Sequence, residues 1–124
     1  MINAELNANL PFVPNATRES NNEDLFAGRT PSVIVSGDSM APEYPSGSRV
    51  FVEKMNSNNF IEWGRDYVLD TSNGVVIKKI VAPEKEGHLR CLSTNPDQYT
   101  FAPFDIPMSK VYGIYRIKFC ISLK

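Results

Sequence analysis

The chain lacks any apolar run long enough to cross a bilayer as a helix, and its start, Met1-Ile2-Asn3-Ala4-Glu5, has neither the basic head nor the apolar middle of a secretory signal. A cytoplasmic protein with no membrane partner is expected. An excess of charge is also missing. The 13 basic and 14 acidic residues leave a net charge of −1, and neither sign forms a block, so the chain carries no nucleic-acid footprint of its own. Cysteine is scarce. Cys91 and Cys120 form no CxxC and have no histidine at ligand spacing, so no metal site is expected and both are read as reduced core thiols. Histidine is scarcer still: His88 stands alone in the polar turn Glu86-Gly87-His88, a poor setting for a catalytic base. No repeat, low-complexity tract or long amphipathic helix pattern is present, and no cofactor is expected.

What is present has the texture of a β protein. At 124 residues the chain suits one domain with a real core. Residues 1–31 are rich in Asn, Glu, Asp and Ser around one apolar island, Leu10-Pro11-Phe12-Val13-Pro14, and read as an extended arm pinned by that island, with an edge strand as the alternative. Residues 32–124 read as a single compact, mainly β domain. Strands are expected over Ser32 to Ser36, Arg49 to Lys54, Asp66 to Asp70, Val75 to Val81, His88 to Ser93 and Val111 to Ile121. Phe60-Ile61-Glu62-Trp63 suits a short turn or helix. Asn73-Gly74 is a hairpin signal that makes its two flanking strands antiparallel neighbours. In the last strand, Tyr115, Ile117, Phe119 and Ile121 share one face, expected to be core, and Arg116 and Lys118 share the other.

Chemistry gathers at Ser36-Gly37-Asp38-Ser39-Met40-Ala41-Pro42. An apolar strand, Val33-Ile34-Val35, ends there in a turn that displays Ser39, with Gly37 allowing a sharp bend and Met40 a packing residue beside the site. A serine hydroxyl attacks only when a base takes its proton. The candidates are two lysines inside the apolar strand Val75-Val76-Ile77-Lys78-Lys79-Ile80-Val81. Burial disfavours an ammonium and so supplies the neutral amine that such a base requires. Backbone N–H groups of Asp38 and Ser39 are the natural donors to an oxyanion. Alternation leaves the lysines open: Lys78 shares a face with Val76 and Ile80, Lys79 with Val75, Ile77 and Val81. The ordinary alternatives are a turn serine bonded to local backbone and a lysine snorkelling from a strand edge.

These stretches, followed by Ser93-Thr94-Asn95-Pro96, resemble the LexA-like peptidase domain of LexA, UmuD and the C-terminal halves of phage-type repressors. The block Phe60-Ile61-Glu62-Trp63 with Tyr67-Val68-Leu69-Asp70-Thr71 is most similar to the phage-type regulators. The resemblance implies a β-rich fold, a Ser-Lys dyad in which Lys78 is the base, homodimerisation, and cleavage of the chain's own linker when a recombinase filament binds. It also implies that DNA is reached only through a separate upstream helix-turn-helix domain. In the family the scissile bond is Ala-Gly or Cys-Gly. Here Asn15-Ala16-Thr17-Arg18-Glu19-Ser20 follows Pro14 without one, and the pair Ala27-Gly28 stands on a short tether to Ser39. A non-catalytic dimerisation module and a UmuD-like factor are therefore the alternatives to a self-cleaving repressor domain. A signal-peptidase reading falls behind for want of an anchor.

Overall fold

The computed structural model describes residues 14–18 and 31–122. Eight strands make up nearly all its regular structure: β1 (Ala16–Arg18), β2 (Ser32–Val35), β3 (Arg49–Lys54), β4 (Arg65–Thr71), β5 (Gly74–Val81), β6 (His88–Leu92), β7 (Phe104–Pro107) and β8 (Val111–Ile121). One turn of 3-10 helix, Met108–Lys110, joins the last two strands. The chain is thus mainly β, as its alternating apolar runs imply.

The strands form one sheet in the order β1-β2-β3-β8-β4-β5-β6-β7, and β1 also pairs with β5. That extra pairing closes six of the strands into a ring, while β6 and β7 extend as a flap from the far half of β5. The β4–β5 hairpin runs antiparallel from Arg65↔Ile80 to Thr71↔Gly74. Its loop is Ser72-Asn73, one residue earlier than the Asn-Gly signal suggests, because Gly74 itself joins the ladder. Thr71 holds the loop, donating from Oγ1 to the Gly74 carbonyl at 2.7 Å and accepting from the Asn73 N–H at 3.1 Å. Gly74 has φ of +119°, and a Cβ there would lie 2.7 Å from Cγ of Pro14, so the arm closes against this hairpin where only glycine leaves room.

Because β4 and β5 are covered on both faces, consecutive residues enter different parts of the core. Val68 and Ile77 join Ala16, Val33, Val35, Met40, Val50 and Val52 inside the ring. Tyr67, Leu69, Val76 and Ile80 face the flap and pack with Leu89, Cys91 and Ile106. The arm residues described here are part of this architecture: β1 lies between β2 and β5, with Ala16 opposite both Val35 and Val75. The island Leu10 to Val13 lies outside the described residues.

One expectation is corrected in β8. Its register against β3 slips between Phe51 and Val52, which pair with Phe119 and Ile117, so Lys118 is the extra residue of a bulge. A one-residue slip exchanges the two faces. Tyr115, Ile117 and Cys120 therefore pack against the ring core, while Phe119 and Ile121 turn outward and are half exposed. Phe119 stacks on Phe51 with ring centroids 4.6 Å apart. Trp63 lies in a turn and is about half exposed, whereas Tyr67 is core. Both cysteines are free thiols.

Candidate active site

Ser39 sits in the turn that follows β2. Gly37, with φ of +79°, bends the chain as it leaves the strand. The Ala41 N–H then bonds the Asp38 carbonyl at 3.0 Å, and the Tyr44 N–H bonds the Met40 carbonyl at 2.8 Å, coiling the backbone around Ser39. Met40 anchors the turn from beneath, fully buried in the ring core. A second clamp comes from the loop after β6. Asn95 donates its backbone N–H to the Ser39 carbonyl at 3.0 Å and its carboxamide to the Asp38 carbonyl at 2.8 Å. Ser39 is consequently held with only 8% of its surface exposed.

Lys78 reaches this serine from β5, its Nζ lying 2.9 Å from Ser39 Oγ. The side chain projects toward the flap, with Val76 and Ile80, and is 5% exposed. Burial pulls its pKa from 10.5 down to about 8; only negative charge on the neighbouring Cys91 would oppose the shift. Cys91 is itself pushed up to about 12, chiefly by burial, and remains a protonated thiol at neutral pH. The Phe104 ring, centred 6.0 Å from Nζ, adds an apolar wall. Lys79 goes the opposite way, to an ion pair with Asp66 at 3.2 Å and the Gly64 carbonyl at 3.2 Å. The flap roofs one face of β5, so that Lys78 is the lysine beside Ser39 and Lys79 lies at the rim.

Two further side chains touch the pair. Ser93, the residue after β6, has its Oγ 2.9 Å from Lys78 Nζ, so the amine is held between two hydroxyls. In the sequence, Ser93 ends an expected strand and belongs to the Ser93-Thr94-Asn95-Pro96 stretch of the resemblance, with no role at the site marked for it. Asn15 lies just ahead of β1, and its Nδ2 is 3.1 Å from Ser39 Oγ. Nothing in the sequence distinguishes Asn15 from the other asparagines of the arm, because its place depends on the β1–β5 register.

Among the described residues, no acceptor is bonded to the backbone N–H of Asp38 or Ser39. A groove of about 380 Å³ opens over the site between the Ser36–Ser39 turn and the segment from Thr100 to Phe104. His88 is remote in role, bonded through Nδ1 to the Glu86 carbonyl at 2.9 Å. No cluster of His, Cys, Asp and Glu among the described residues could hold a metal ion, and no helix among them is long and apolar enough to cross a membrane. Ala27 and Gly28 lie outside the described residues.

The sequence model of one family, described as Peptidase S24-like, matches residues 8–114. No curated protein and no solved structure matches the chain significantly.

Proposed function

The chain belongs to the Peptidase S24-like family, that of LexA-like serine peptidase domains, and from that premise we propose that it is the self-cleaving and dimerising C-terminal domain of a phage-type repressor, with Ser39 as nucleophile and Lys78 as base. The observation that carries this reading is the 2.9 Å approach of a buried lysine amine to a buried serine hydroxyl. In the reactive form Lys78 is neutral and takes the Ser39 proton as Oγ bonds to a peptide carbonyl carbon. The carbonyl oxygen, now negative, accepts from the Asp38 and Ser39 N–H groups. The lysine returns its proton to the departing amine, and water, deprotonated by the same lysine, releases the acyl group from Ser39. The step needs no metal or cofactor. DNA binding in this reading belongs to a separate upstream domain, and a recombinase filament is the trigger.

The test is incubation of the protein, joined to its native upstream sequence, across pH 6 to 10. Mass spectrometry should find two fragments that the Ser39→Ala variant does not give. A folded wild-type chain that stays intact throughout would sink the peptidase reading.

A second reading, a dimerisation module with an idle site, draws support from the lack of Ala-Gly in the stretch Asn15 to Ser20 directly after Pro14 and from the apolar surface that the β8 bulge turns outward at Phe119 and Ile121. Sedimentation would then give a stable dimer that Phe119→Lys weakens, with no serine reactivity. A monomer at all concentrations would reject it.

A further inference from the structure

The ladder between β1 and β5 ends abruptly, and the way it ends bears on Ser39. The register that sets Ala16 opposite Val75 would set Pro14 opposite Ile77. Proline has no N–H to give, so backbone pairing cannot continue. The Asn15 side chain takes over. Its Oδ1 accepts from the Ile77 N–H, and its Nδ2 donates to the Ile77 carbonyl at 2.9 Å, copying the two bonds that a neighbouring peptide would make. The Asn15 backbone is fixed on both sides, donating to the Val75 carbonyl at 3.0 Å and accepting from the Ser36 N–H at 2.9 Å.

This pairing determines which atom faces the serine. A flipped carboxamide would set its oxygen against the Ile77 carbonyl and its NH2 against the Ile77 N–H, losing both bonds, so the group beside Ser39 is the amide nitrogen. With one N–H committed to Ile77, the second is left to Ser39 Oγ at 3.1 Å. A hydroxyl has one proton and two lone pairs. Once Asn15 occupies a lone pair, the proton of Ser39 is free to point at Lys78 Nζ, 2.9 Å away, whenever that amine is neutral; the ammonium form donates to Oγ instead. Asn15 is 4% exposed.

We infer that Asn15 is a third catalytic residue, whose amide N–H holds Ser39 Oγ with its proton turned to Lys78 and stabilises the negative charge that builds on Oγ as the proton leaves. The inference rests on the Ser39–Lys78 reading and adds to it a donor from the arm. In this role the buried Ile77 pair is the mount and the N–H to Ser39 is the working contact.

A fluorophosphonate probe tests it on the full chain. Ser39 Oγ bonds to phosphorus, fluoride departs, and Lys78 takes the serine proton, so the labelling rate reads the activation of Ser39 directly. Rates are followed by mass spectrometry from pH 6 to 10, with Ser39→Ala as the blank. The titratable group that bears on Lys78 is Cys91, which Asn15 substitutions leave in place. Asn15→Ala should lower the high-pH plateau by about 10-fold to 100-fold, the effect of one hydrogen bond to a developing charge, and leave the midpoint of the profile where it is in the wild type. Asn15→Asp retains an acceptor for the Ile77 N–H but offers Ser39 no N–H. It should lower the plateau similarly and move the midpoint upward, because its carboxylate favours the ammonium form of Lys78. A folded Asn15→Ala chain that labels at the wild-type plateau, even with a reduced melting temperature, would overturn the inference and leave the dyad standing. Unfolding of both variants would also count against it, marking the carboxamide as a structural support. A wild-type chain that never labels would remove the dyad reading itself.

Discussion

Replacing Lys78 by methionine isolates the cost of burying the amine. The two side chains have similar volume, and methionine carries no charge to desolvate. The pKa of Lys78 is about 8 in the folded chain against 10.5 for the free side chain. In that window the unfolded state binds more protons, so wild-type stability rises with pH from about 8 to about 10.5. Below it the lysine is charged in both states, and folding bears the full burial cost of about 3 kcal/mol at roughly 1.4 kcal/mol per pKa unit. Against this stand the bonds of Nζ to Ser39 and Ser93, together about 2 kcal/mol, which methionine forfeits at every pH. Lys78→Met should therefore be more stable than the wild type by about 1 kcal/mol at pH 7 and less stable by about 2 kcal/mol at pH 10.5. Urea unfolding of both proteins at half-unit steps from pH 6 to 10.5 measures the difference, in which other titrating groups largely cancel. A difference that stays flat over the whole range would show that the ammonium is not desolvated, and Lys78 would lose its physical claim to be the base.

Three further outcomes are expected. Self-cleavage of the full chain should accelerate about tenfold per pH unit from pH 6 and level off above about pH 8, since roughly one lysine in ten is neutral at pH 7; initial rates that climb steadily through pH 10 would mean an unshifted lysine. Ser93→Ala removes one of the two hydroxyls that hold Nζ and should slow fluorophosphonate labelling of Ser39 about fivefold with the fold intact, as checked by circular dichroism. Gly74→Ala should lower stability by about 2 kcal/mol, because it combines an unfavourable φ with a contact to Pro14, and a melting temperature equal to the wild type would show that the arm does not close on this hairpin.

Where alternation has one meaning, the sequence is legible. Six strands stand out as alternating or apolar runs bounded by turn residues, and Ser39 at the end of Val33-Ile34-Val35 is visible for the same reason. The two remaining strands are hidden for identifiable causes. The three residues of β1 are Ala, Thr and Arg within a polar arm, and β7 is bracketed by Pro103 and Pro107. Both are strands because partners are waiting for them, a tertiary fact. On β5, alternation cannot separate Lys78 from Lys79, since apolar residues occupy both faces of a strand covered on both sides. In β8 the pattern misleads beyond Lys118 because a bulge exchanges the faces, and period-two reading has no means of locating a bulge. Asn15 is the deepest omission: its contact with Ser39 follows from a proline's missing N–H and a register between residues far apart in the chain.

Asn15 and Ser39 stand on opposite sides of residues 19–30. Severing the chain anywhere in that span would turn a unimolecular site into a bimolecular one. While the backbone is whole, the donor is supplied at the effective concentration of a short tether, in the millimolar range; once cut, it is held by non-covalent contacts alone, among them the pairing of β1 with β2 and β5 and the bonds of Asn15 to Ile77, and dilution favours its loss. A peptidase built this way that cuts there would be stoichiometric. The first turnover would release the fragment carrying part of its own machinery and the strand that closes the ring, and the serine left behind would fall quiet.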